Sequence, residues 1–153
     1  MPQAFGNETF WTRYPTAAEE VVMNMLFINH GAKGIAMWDY PTVPSIANIT
    51  SLLSKALTSE LVTPFLLGSF FQAVDVVGLQ RVDVAYWSLG NRTLVSVVNK
   101  NYIDSPAAHL SISLPRSFGQ VGQVVWGSGW SVDGGNLTKV GIEALSVDLF
   151  VVS

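Results

Sequence analysis

Hydrophobic positions recur at helical spacing through the first sixty residues and at strand spacing from about residue 70 onward. In residues 15–30, Ala18, Val21, Val22, Met25, Leu26 and Asn29 follow the i, i+3, i+4, i+7 rule of one helical face. Thr16 and Glu19 stand at the spacing of a capping box, in which each side chain satisfies a backbone N–H that the first turn leaves unpaired. Gly31 is a natural stop, with His30 in the last turn, where the helix dipole favours positive charge. The following run, 32–38, has contiguous apolar residues instead of alternation, as in a strand covered on both faces of a parallel sheet. Residues 2–5 read as the end of another strand. A rigid loop, Pro41-Thr42-Val43-Pro44, then leads into a second helix over 45–62. Ser45 or Asn48 would cap that helix, Ile49, Leu52, Leu53, Ala56, Leu57 and Leu61 line its face, and Pro64 closes it.

Beyond residue 70 the period changes to two. Val82, Val84 and Tyr86 alternate with Asp83, Ala85 and Trp87, the turn Leu89-Gly90-Asn91-Arg92 follows, and Leu94, Val95, Val97 and Val98 start the return strand. Further short strands are predicted over 110–114, 121–126 and 145–152, around a glycine-rich turn region between Gly119 and Gly141. Turn-punctuated short strands predict an antiparallel β-sandwich. The fold class is therefore α+β, with an α/β piece over 1–63 and an all-β piece over 64–153.

Composition narrows the possible functions. Hydrophobic residues make up 49% of the 153, enough for a core, while charged residues are only 12%, against about 25% in ordinary domains. Much of the surface is then uncharged, carries glycans or is covered by something outside these residues. The net charge of −3, with scattered Lys and Arg, gives no footprint for nucleic acid. No run approaches the roughly 18 uninterrupted apolar residues of a membrane span. There are no cysteines, neither histidine has a companion at metal-ligand spacing, and no P-loop, dinucleotide or serine-elbow motif is present, so no cofactor is expected. Four N-x-S/T triplets, at Asn7, Asn48, Asn91 and Asn136, point to a secreted glycoprotein, although no signal-peptide pattern opens the chain.

The order QAFG, W-x-R-x-P-T-x-x-E-E, an amphipathic helix, H-G-A-K-G-I and a strand ending Trp38-Asp39-Tyr40 resembles the final strands of a (β/α)8-barrel glycoside hydrolase. By motif the resemblance covers residues 1 to about 63, and by architecture the β piece that follows. It implies that 2–5 and 32–38 are barrel strands seven and eight, that 15–30 and 45–62 are their helices, and that six strands lie outside the chain. The sequence would then be the C-terminal part of a longer secreted enzyme acting on O-glycosidic bonds, inactive alone. Its partners would be carbohydrate and either the missing N-terminal barrel portion or a second copy. In the large clan of retaining glycosidases that it further resembles, strand seven ends in a nucleophilic glutamate and strand eight in an aromatic residue. Trp38 fits the aromatic position, whereas Ala4-Phe5-Gly6 stands where E-F-G is expected.

Glycoside hydrolysis needs two carboxylates. Here Glu8, just past the glycine, and Asp39 are the candidates on the barrel face to which the strand ends point. Trp38, Tyr40 and Trp11 are candidate platforms for a sugar ring, since an indole or phenol face packs against the apolar face of a pyranose. Arg13 is a candidate substrate ligand or a loop anchor. The alternative is a non-catalytic, lectin-like carbohydrate-binding protein using Trp126, Trp130 and Tyr102 on the β piece.

Overall fold

The computed structural model of the protein describes residues 2–38 and 41–153. Its elements are helices α1 (Ala17–Asn29), α2 (Pro44–Leu57) and α3 (Thr63–Gly68), followed by nine strands. These are β1 (Gln72–Ala73), β2 (Val76–Val77), β3 (Val82–Leu89), β4 (Arg92–Asn99), β5 (Ser105–Ile112), β6 (Val121–Trp126), β7 (Ser131–Asp133), β8 (Asn136–Ile142) and β9 (Val147–Val152).

Helix α1 begins and ends as its sequence requires. The Glu19 N–H donates to the Thr16 hydroxyl at 3.2 Å and the Thr16 N–H to the Glu19 carboxylate at 2.7 Å, the complete capping box. At the other end Gly31 and Ala32 donate to the carbonyls of Ile28 and Phe27, the paired bonds of a Schellman stop. Gly31 takes φ +94° there, and a Cβ at that position would run into the Phe71 ring. The helix is covered on more than the one face its periodicity predicts, because Glu20 and Asn24 are fully buried alongside Met25 and Ile28.

The second helical segment departs from expectation. Val43 occupies the N-cap of α2 with no side-chain hydrogen bond, and Pro44 takes the first turn, where its missing N–H is harmless. Neither Ser45 nor Asn48 caps it. The helix stops at Leu57, and Pro64 opens the short α3 instead of closing α2, again as a first-turn proline. The segments 2–5 and 32–38, read as barrel strands, form no strand among the described residues and meet only at an isolated parallel bridge, Gln3 to Trp38; 32–38 is half-buried or exposed, not covered on both faces. Two parallel segments without strands on their outer sides have little to hold an extended pairing.

The sandwich has a five-stranded antiparallel sheet, β1-β3-β4-β9-β6, against a four-stranded one, β2-β5-β8-β7. The larger sheet is buried on both faces, which is why β4 and β9 lack polar alternation. One face, with Ala85, Trp87, Leu94, Val98, Leu149 and Val151, packs on Met25, Ile28, Leu53, Val62 and Phe65 of the helical layer. The other, with Val84, Tyr86, Val95, Val97 and Phe150, packs on Leu110, Ile112, Leu137 and Ile142. The layers run helices, large sheet, small sheet. The glycine-rich region read as turns contains β7 and β8, paired as a hairpin from Asp133 to Asn136. Among the described residues no helix is long and apolar enough to cross a membrane.

Candidate functional site

The segment after residue 5 forms a loop at the carboxyl end of the first barrel-like strand. Gly6 lets it fold back on itself, since a Cβ there would lie 2.3 Å from the backbone nitrogen of Tyr14. Asn7 takes φ +60°, a left-handed conformation that asparagine tolerates. The Glu8 N–H then donates to the Trp11 carbonyl at 3.1 Å. The Glu8 side chain is exposed, and no hydrogen bond or ion pair to it occurs among the described residues. Trp11 sets its ring edge-on to Phe5, centroids 5.9 Å apart, and stays 50% exposed. Trp38, across the parallel bridge from Gln3, is 59% exposed. Asp39 and Tyr40 lie outside the described residues. Glu8 and Trp11 thus lie on the loop that follows one of two bridged parallel segments, and Trp38 stands at the bridge on the other, near the carboxyl ends at which ligands meet such sheets.

Arg13 is anchored to its own chain while its side chain stays 64% exposed. Its guanidinium makes a bidentate pair with Glu19, both N–O distances 2.7 Å, and also donates to the Tyr14 carbonyl at 3.0 Å. Tyr102, from the loop between β4 and β5, donates its hydroxyl to the same carboxylate at 3.0 Å. The Arg13 bonds, with the Thr16 N–H and Tyr102 adding to them, hold the Glu19 carboxyl down to about 2 despite its burial. Glu19 is therefore at once the capping residue of α1, the anchor of the 6–14 loop and a tie to the sandwich. The other end of α1 is tied in the same way, since Asp83 on β3 accepts from Asn29 at 2.9 Å and lies 2.9 Å from the His30 ring. His30 is a helix-end anchor in this setting.

Of the aromatic residues of the lectin-like reading, one is a core residue and one is half-buried against the core. Trp130 is buried, stacks on Phe150 with centroids 5.6 Å apart, and donates its indole N–H to the buried Asp148 at 2.8 Å. Lys139 completes that group with an ion pair to Asp148 at 2.7 Å. Trp126 packs against the helix-facing core. Tyr102 alone of the three is well exposed. Among the described residues no group of three or more His, Asp or Glu is placed to hold a metal ion. Burial raises the Glu20 carboxyl, and the Asn24 amide bond only partly offsets this.

Sequence reasoning singled out Glu19 as a cap but not as the hub of this cluster. Its partner Tyr102 lies 83 residues away, a separation no local pattern reveals.

No family model and no curated protein matches the chain. Solved structures do. An α-amylase from Geobacillus thermoleovorans, complexed with acarbose, superposes with a TM-score of 0.62 at 12% identity, over 92% of this chain and 34% of its own. A maltogenic α-amylase from Thermotoga neapolitana gives 0.61 at 13%, over 99% and 40%. A glycoside hydrolase family 30 subfamily 8 xylanase from Clostridium acetobutylicum gives 0.56 at 14%, over 100% and 42%. The fold is shared with glycoside hydrolases. The chain spans only 29% to 42% of the length of the structures it matches, and at such identities the likeness is one of fold.

Proposed function

We propose that these residues are the C-terminal part of a secreted glycoside hydrolase acting on O-glycosidic bonds of a carbohydrate. The observation that carries this reading is a fold shared with glycoside hydrolases, of whose length the chain spans about a third, supported by an exposed Trp38 bridged to the segment that leads into the loop of Glu8 and Trp11. In this reading Glu8 and Asp39 are the carboxylates nearest the scissile bond, and Trp38, Trp11 and Tyr40 supply stacking faces. Arg13 keeps the loop that carries Trp11 in place through Glu19. A carboxylate from further barrel strands completes the acid and base pair that hydrolysis requires, so the 153 residues alone have no turnover. The open outer edges of 2–5 and 32–38, and the thinly covered α2, of which only Ile46 and Leu53 are buried, take the remaining barrel or a second copy as partner. The sequons at Asn7, Asn48, Asn91 and Asn136 carry the glycans of a secreted protein.

The test is to purify the chain, measure its mass by light scattering after size exclusion, and assay release of nitrophenol from a panel of nitrophenyl glycosides. Self-association without hydrolysis is the expected result. A monodisperse, cooperatively folding monomer that hydrolyses any of the panel would refute the reading of an incomplete site.

A further inference from the structure

A cleft of about 310 Å³ lies where the 6–14 loop meets the sandwich, walled by Phe10, Trp11, Arg13, Glu19, Tyr102 and Leu145. That volume stands at the lower end of the roughly 300–1,000 Å³ usual for small-molecule sites, room for one sugar ring. Three of its walls are aromatic and open to solvent, Phe10 at 89%, Trp11 at 50% and Tyr102 at 66% exposure. Leaving three aromatic faces wet around one hollow costs hydrophobic free energy that packing elsewhere would recover. The polar wall is fixed in advance, because the bidentate Arg13–Glu19 pair and the Tyr102 hydroxyl form one hydrogen-bonded unit. Three of the five guanidinium N–H groups are engaged, which leaves two donors on a side chain that is 64% exposed. The Tyr102 oxygen, having donated its proton to Glu19, keeps its acceptor capacity.

We propose that this cleft is a binding subsite for a neutral pyranose, with Tyr102 of the sandwich and Phe10 of the loop as its stacking faces and Arg13 as its hydroxyl ligand. The Arg13 charge is matched by Glu19, so the polar wall has directed donors without a net field, which suits an uncharged polyol over a sugar acid or phosphate. The sandwich is then a contributor to sugar recognition as well as support for the helical layer. The proposal rests on the glycosidase reading and deepens it by adding a subsite that shares Trp11 and Arg13 with it and brings in Phe10 and Tyr102.

The experiment is titration of the 153-residue chain with maltotriose, xylotriose and cellotriose, followed by tryptophan fluorescence, since Trp11 lines the cleft, and by calorimetry. At least one trisaccharide binds, and Tyr102→Ala and Phe10→Ala each weaken it about tenfold or more. Val77→Ala, which changes an exposed residue of β2, leaves binding unchanged. Phe10 and Tyr102 lie outside both core clusters, so their variants keep the far-ultraviolet circular dichroism of the parent. If Trp38→Ala abolishes binding while Tyr102→Ala and Phe10→Ala leave it intact, the subsite is overturned and the glycosidase reading stands. If no trisaccharide binds the folded chain up to about 10 mM, weaker than any useful subsite, the subsite is overturned and the glycosidase reading is judged by the hydrolysis assay alone.

Discussion

Replacing Glu19 by glutamine tests whether one carboxylate couples the helix cap, the 6–14 loop and the sandwich. The side chain keeps its shape and loses its charge. Glutamine retains one acceptor oxygen, but its amide nitrogen faces Arg13 N–H groups that then lack an acceptor. The fall of the carboxyl from its ordinary 4.5 to about 2 corresponds to about 3.4 kcal/mol of preference for the ionised form. Arg13 is 64% exposed, so solvent and salt screen much of that pairing, and about 2 kcal/mol of lost stability is the expected effect at neutral pH. The sign of the pH dependence follows from the depressed value. The stabilisation is complete above the ordinary 4.5 and is lost as pH falls through about 2. Urea unfolding at pH 7, 5, 3.5 and 2.5 reads this directly. The parent loses stability over the acid range by about 2 kcal/mol more than Glu19→Gln, and the two curves converge near pH 2. Curves that run parallel from pH 5 to 2.5, or a variant as stable as the parent at pH 7, would refute the coupling.

Three further substitutions probe the buried polar groups. Asp148→Asn strips Lys139 of its buried counter-ion and weakens the bond from the Trp130 indole, a loss of about 3–5 kcal/mol by chemical denaturation. Ser96 is fully buried at the centre of β4, and its hydroxyl has no partner among the described residues. Ser96→Ala is therefore expected to raise stability by about 0.5–1 kcal/mol, seen as a higher midpoint with unchanged slope. Glu20 is buried, one of its carboxyl oxygens has no partner among the described residues, and burial raises its titration. The native state favours its neutral form, so its contribution is full below the ordinary carboxyl range and is lost as pH rises through the raised value. Glu20→Gln should be more stable than the parent at pH 7 and equal to it at pH 3.5, measured by thermal unfolding at the two pH values.

How far the sequence anticipated this structure depended on how local each cause was. Thr16, Glu19 and Gly31 act within one turn of the residues they cap, so both ends of α1 were legible to within two residues. The hairpin from β3 to β4 was legible for the same reason, its two-residue Gly90-Asn91 loop setting the register from Leu89 opposite Arg92. Strands β7 and β8 were hidden by the glycines in and around them. Gly134 and Gly135 do form the turn, but Gly141 sits inside β8, opposite a part of β5 where the register slips between Ser105 and His109. A pattern that reads every glycine as a break loses such a strand. Proline misled in the same way at Pro64, where a helix stop and a helix start share one residue type.

The site followed the opposite logic, and its residues divide by what neutralises them. Trp130 and Trp38 are the same residue type, yet one is buried because Asp148 accepts its N–H and Phe150 its ring, and the other stays open beside a single bridge. Nothing within a few residues of either distinguishes them, since Asp148 and Phe150 lie on β9. Arg13 and Tyr102 looked independent in sequence and become one unit through Glu19. The low share of charged residues has its structural counterpart here. Exposed Phe10, Trp11, Trp38, Phe70 and Ile103 leave the helical side and the loop ends with apolar surface that an isolated domain normally covers. Ties at both ends of α1, to Tyr102 and to Asp83, fix that helix to the sandwich, so whatever covers the exposed surface meets a surface already held in place.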